Sequence, residues 1–141
     1  MAKIVVTDYT FDSLDLERKI IESAGHELIG ANCQTQQELI DLCCDADVVI
    51  TQFAKVDESV VESMQHAKAI VRYGIGYDNV AFVKAAECGV PVCNIPDYCI
   101  DEVADHTLAF FLLVNSWGFA LNSFGIPTTS DLVLGNPLGI L

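Results

Sequence analysis

Positive charge is scarce in this chain: seven lysines and arginines stand against twenty aspartates and glutamates, for a net charge of −13. A surface of that sign repels phosphate backbones and anionic lipid, so neither nucleic acid nor a membrane surface is an expected partner. Long apolar runs are missing too. The stretch "TLAFFLLV" falls far short of the ~20 residues needed to cross a bilayer, and no transmembrane segment is expected. The opening "MAKIVVTDY" lacks the apolar core and cleavage site of a signal peptide. With no export signal, the six cysteines, at 33, 43, 44, 88, 93 and 99, read as reduced thiols of a cytoplasmic protein. No C-x-x-C pair occurs. Cys88, Cys93, Cys99 and His106 match the spacing of no closed zinc site, so no metal is expected and the cysteines read as small hydrophobes. No internal repeat is visible.

What is present is apolar content of 52% in 141 residues, enough for one domain with a real core. Short β-branched runs alternate with amphipathic segments. Strands are expected at 3–9, 26–32, 47–53, 69–74 and 91–95, and helices at 14–25, 35–46, 57–67, 78–89 and 101–115. Thr35 and Glu38 have capping-box spacing, Asp57 is a natural N-cap, and Gly25 and Gly89 stop their helices. Strict alternation with short connections predicts an α/β fold, a doubly wound parallel sheet of about five strands with helices on both faces. Composition changes at Ser116. The tail 116–141 holds one charged residue and no sustained period, with "DLVLG" its one candidate strand.

Chemistry concentrates in "RYGIGYDNV", Arg72 to Val80, after the fourth expected strand. A dinucleotide fingerprint needs G-x-G-x-x-G, and Gly74 and Gly76 fit, but Asn79 stands at the third position. The alternative is a site for a small anion. Gly74, Ile75 and Gly76 offer unobstructed backbone amides, and Arg72 a planar fork suited to a carboxylate. Gln52, Phe53 and Ala54, at the preceding strand end, complete a shallow pocket. The competing reading of Arg72 is a surface ion pair with one of the many acids.

"KAIVRYGIGYDNV", followed by "AAECGVPVCNIPDYCIDEVADHTLAFFL", resembles the D-isomer-specific 2-hydroxyacid dehydrogenase family, in the branch of phosphoglycerate dehydrogenase and the C-terminal binding proteins. The likeness runs from about residue 3 to residue 115. It implies a flavodoxin-like substrate-binding domain over 1–100 and an interdomain helix over 101–115. It also implies a 2-oxo or 2-hydroxy acid as ligand, held by Arg72, Ile75 and Gly76 with Gln52, Phe53 and Ala54. NAD is implied as cofactor, touched by Gly74, Ile75, Cys99 and Val103. Asp78 and Asn79 are expected to fix the loop and cap the next helix.

The family's arginine, acid and histidine for hydride transfer follow its nucleotide fingerprint, and no catalytic residue is assigned here. The sequence therefore reads as a truncated dehydrogenase lacking its NAD-binding Rossmann domain, inactive alone, whose tail diverges by frameshift, splicing or descent. Leu108, Phe110, Phe111, Leu112 and Leu113 would lose cover, favouring self-association through helix 101–115 or docking of the tail as a lid. Two other classes stand beside this reading. One is a non-catalytic, co-repressor-like ligand- or partner-binding module. The other is a phosphoacceptor domain using Asp8 and Lys55 with Asp12 nearby.

Overall fold

The computed structural model describes residues 1–123, with side chains through Val114. The expected "DLVLG" strand and the lid role of the tail lie outside the described residues. One compact unit spans Met1–Tyr98, and a second opens at Cys99.

Five strands and five helices alternate: β1 (Lys3–Val6), α1 (Asp15–Ser23), β2 (Glu27–Gly30), α2 (Gln36–Cys43), β3 (Val48–Thr51), α3 (Glu58–Ser63), β4 (Ala69–Arg72), α4 (Phe82–Glu87), β5 (Val92–Cys93) and α5 (Ile100–Ser123). All strand pairs are parallel and the sheet order is β2-β1-β3-β4-β5. This is the flavodoxin-like order, with its reversal between β1 and β3.

Alternation along each strand sorts the core into two layers. Val5, Val49 and Ile70, neighbours in register, pack with Leu39 and Cys43 of α2, Val60 and Val61 of α3 and Ala85 of α4. Ile4, Val6 and Leu28 pack on the other face with Leu14, Ile21 of α1, Ile50 and Tyr73. Each fully buried Val or Ile contributes about 1.5–3 kcal/mol, which is why β-branched runs this short suffice for a sheet. Burial pushes the Cys43 thiol up to about 12, so it behaves as a core hydrophobe.

Helix starts follow the capping chemistry. Thr35 Oγ1 accepts from Glu38 N at 3.3 Å and Glu38 Oε2 accepts from Thr35 N at 3.4 Å. Asp57 Oδ1 accepts from Ser59 N and Val60 N at 3.0 and 3.2 Å. Gly25 and Gly89 follow α1 and α4 with φ of +79° and +74°. Most strands are shorter than expected, and two helix boundaries differ in ways that bear on the loops and the tail. α4 opens at Phe82 rather than 78, because a β-bridge between Val56 and Val80 holds the preceding residues in the loop. α5 continues through Ser116 to Ser123, so the loss of charge there does not break the helix.

Candidate binding site at the carboxyl edge of the sheet

The loops after β1, β3 and β4 meet at one edge of the sheet. Asp8, just past β1, holds the second of them. Its Oδ1 accepts from Thr7 Oγ1 (2.8 Å), Thr51 Oγ1 (3.2 Å) and Gln52 N (3.0 Å). Its Oδ2 accepts from Phe53 N (2.6 Å) and Ala54 N (3.0 Å). Burial pushes this carboxyl up, but the amides of Gln52 and Phe53, the Thr7 hydroxyl and the Ala54 amide together outweigh it. Asp8 therefore titrates below the ordinary aspartate range. A carboxylate engaged by five donors is an anchor, and the phosphoacceptor reading of Asp8 gains no support from it. Gln52 is itself buried, and its Oε1 accepts from Thr10 N at 2.7 Å. Of the three loop residues expected to touch ligand, Phe53 alone is exposed.

The loop after β4 is pinned from several sides. Tyr73 N donates to Thr51 O at 2.9 Å. Its hydroxyl donates to Glu17 Oε1 at 3.0 Å, and its ring meets Phe11 edge-on at 5.3 Å. Burial, and then the Glu17 contact, push the Tyr73 phenol above its usual range. Gly74 N donates to Arg72 O and Gly74 O accepts from Ile95 N, both at 3.0 Å. Asn94 Nδ2 donates to Ile75 O at 2.7 Å. Asn79 Nδ2 donates to Ala54 O at 2.9 Å, so Asn79 fixes the loop as expected, by tying it to the Asp8-held segment. It does not cap α4, whose N-cap is Ala81 with no side-chain bond. Asp78 makes no hydrogen bond or ion pair among the described residues, which leaves loop fixation to Asn79.

Arg72 stands at the end of β4, paired in register with Thr51. Its Nη1 donates to Tyr73 O at 2.8 Å, and its Cζ lies 5.8 Å from the centre of the Phe53 ring, within cation–π range. Lys3, Arg18, Lys68 and Lys84 all sit in ion pairs. Arg72 has none among the described residues, and its buried Nε has no acceptor. The surface ion-pair reading therefore gains no support among the described residues. The guanidinium lies across Gly74, where a Cβ would collide with Nη1, and Gly74 takes φ of +133°. Only glycine combines that dihedral with that approach.

Arg72 thus has no carboxylate partner among the described residues, and the loop that follows it carries open backbone donors. Among the described residues no protein acceptor stands against the N–H of Ile75 or Gly76, and both residues are exposed. Such a set suits a compact carboxylate. A pyrophosphate is held instead by free amides at a helix N-terminus. Of the amides leading into α4, Val80 N is engaged by Tyr77 O, Ala81 N by Val56 O and Phe82 N by Val80 O, while the N–H groups of Val83 and Lys84 in its first turn have no acceptor among the described residues. With Asn79 in place of the fingerprint's third glycine and committed to Ala54, the loop departs from the dinucleotide fingerprint. Cys99 and Val103 lie in the second unit, where Val103 N donates to Cys99 O at 3.0 Å in the first turn of α5, and Cys99 takes φ of +55°.

No histidine of the first unit stands at this edge. His26 and His66 precede β2 and β4, at the opposite end of the sheet, and His26 Nδ1 accepts from Ala2 N at 3.2 Å. His106 Nδ1 lies 2.8 Å from Glu102 O of its own helix. Asp8 is the residue of this edge whose bonds the sequence hid, since these partners lie 43 to 46 positions away. The one available signal was an aspartate directly after a buried strand.

Comparison with known proteins supplies the family. The chain is 36% identical over 113 residues to D-3-phosphoglycerate dehydrogenase of Methanocaldococcus jannaschii, covering 79% of this chain and 21% of that protein. It is 31% identical over 113 residues to hydroxypyruvate reductase of Blautia hydrogenotrophica, covering 78% and 35%. Among solved structures, NAD+-bound 3-phosphoglycerate dehydrogenase of Entamoeba histolytica superposes with a TM-score of 0.62 at 34% identity, over 66% of this chain and 32% of that one. The chain thus spans between about a fifth and a third of the length of these relatives. The family model described as the D-isomer specific 2-hydroxyacid dehydrogenase catalytic domain matches residues 4–134, which carries the likeness past Asn115, where the sequence pattern alone had ended it. By fold, by its arginine loop and by this match, the chain belongs to the D-isomer specific 2-hydroxyacid dehydrogenase family.

Proposed function

We propose that residues 1–98 are the substrate-holding part of an NAD-dependent D-2-hydroxyacid dehydrogenase. In this reading Arg72 and the amides of Ile75 and Gly76 grip the carboxylate of a small 2-oxo or 2-hydroxy acid. The observation that carries it is an arginine without a carboxylate partner among the described residues, in a chain of net charge −13, ahead of a loop whose amides from Ile75 to Asn79 are unengaged. Phe53 forms the apolar wall, while Gln52 and Ala54 act through the loop they shape. NAD belongs to the proposal at the level of the family, with Gly74 and Ile75 on the side facing the reacting carbon and Cys99 and Val103 as further contacts. The 141-residue polypeptide by itself is proposed to bind without turnover, since neither His26 nor His66 of the first unit stands at the carboxyl edge to exchange a proton.

Calorimetry with pyruvate tests the grip. Saturable binding is expected, weakened at least about tenfold in Arg72→Ala and only partly restored in Arg72→Lys, because lysine cannot supply the two-pronged contact. Equal affinity of wild type and Arg72→Ala would refute the assignment.

A further inference from the structure

We propose that Asp8 is a positioning residue for the 2-oxo acid site, acting through the segment Gln52–Ala54; this rests on the reading that Arg72 grips the ligand. In open parallel sheets, ligands collect in the crevice where strand order reverses, here between β1 and β3. Three successive amides, of Gln52, Phe53 and Ala54, converge there, and convergent amides form an anion cradle. The chain fills that cradle with its own carboxylate. A ligand carboxylate is thereby excluded from the reversal point and displaced toward β4, where Arg72 stands.

The same bonds set the shape of the neighbouring site. Phe53 is 64% exposed, so burial does little to fix it, and the 2.6 Å bond from its amide to Asp8 holds the residue whose ring lies beside the guanidinium. Ala54, held by Asp8 through its N–H, accepts through its carbonyl from Asn79, which ends the loop carrying Ile75 and Gly76. One carboxylate therefore orders both walls of the site without touching the ligand.

The test uses the full chain, with Asp8→Ala to empty the cradle and Asp8→Asn to keep its volume while replacing one of two acceptors with a donor. Pyruvate affinity is expected to fall at least about tenfold in Asp8→Ala through lost preorganisation. Sodium formate should restore it and shift the Phe53 and Ala54 amide resonances downfield, whereas sodium chloride at equal ionic strength should do neither. A merely structural role predicts no rescue by formate, and that result overturns the proposal, as does wild-type affinity in Asp8→Ala. If Asp8→Ala does not fold, Asp8→Asn must speed hydrogen exchange at Phe53 and Ala54 while α2 stays protected, and unchanged exchange there is equally fatal. Failure of the wild type to bind pyruvate condemns the Arg72 reading alone, since the exchange measurement needs no ligand.

Discussion

Arg72 holds its place through geometry rather than through an opposite charge. Its Nη1 is tied to Tyr73 O, its face to the Phe53 ring, and its buried Nε has no acceptor. An unpaired buried donor costs about 1–3 kcal/mol, so the surrounding packing must sustain the arrangement. Gly74 is central to it. Gly74→Ala should cost about 1–3 kcal/mol from the left-sided dihedral and also push the guanidinium aside, abolishing pyruvate binding. Gly25→Ala is the control, since Gly25 has φ of +79° but nothing within 4 Å of an added Cβ. It should lower the urea midpoint and leave binding intact. Loss of binding in both variants, or in neither, contradicts the role given to Gly74.

At the scale of elements, alternation and capping were legible in the sequence because they are local. Thr35 and Asp57 cap as their spacing requires, and five apolar runs become five parallel strands. Strand ends were less legible. Apolar residues continue past the hydrogen-bonded ladder, so the run 47–53 yields only Val48–Thr51. The site was half legible. A glycine-rich loop after an arginine can be read directly, whereas the Asp8 bonds join residues more than forty positions apart and leave no local pattern. α5 raises a different question. Leu108, Leu112 and Leu113 are each more than half exposed, and a helix this apolar gains by burying that surface. Self-association through α5 is the proposed outcome: sedimentation should show dimers or larger species for the wild type, shifting toward monomer in Leu108→Glu/Leu112→Glu. A monomeric wild type, or a double variant that associates unchanged, argues against it.

Across the whole molecule, a net charge of −13 works against any anion that approaches. Binding must therefore come from a few short-range donors, and these are what the loop after β4 gathers. Along the glycine-rich turn that mimics a nucleotide fingerprint, the N–H groups of Ile75 through Asn79 meet no acceptor among the described residues, and the proposed function takes Ile75 and Gly76 as the pair that binds. Titration of 15N-labelled chain with pyruvate, followed by amide resonances, tests this most directly. The Ile75 and Gly76 N–H resonances should move downfield together and saturate, and should stay still in Arg72→Ala. Saturable shifts confined to other loops, with Ile75 and Gly76 unmoved, would place the acid elsewhere and contradict the account.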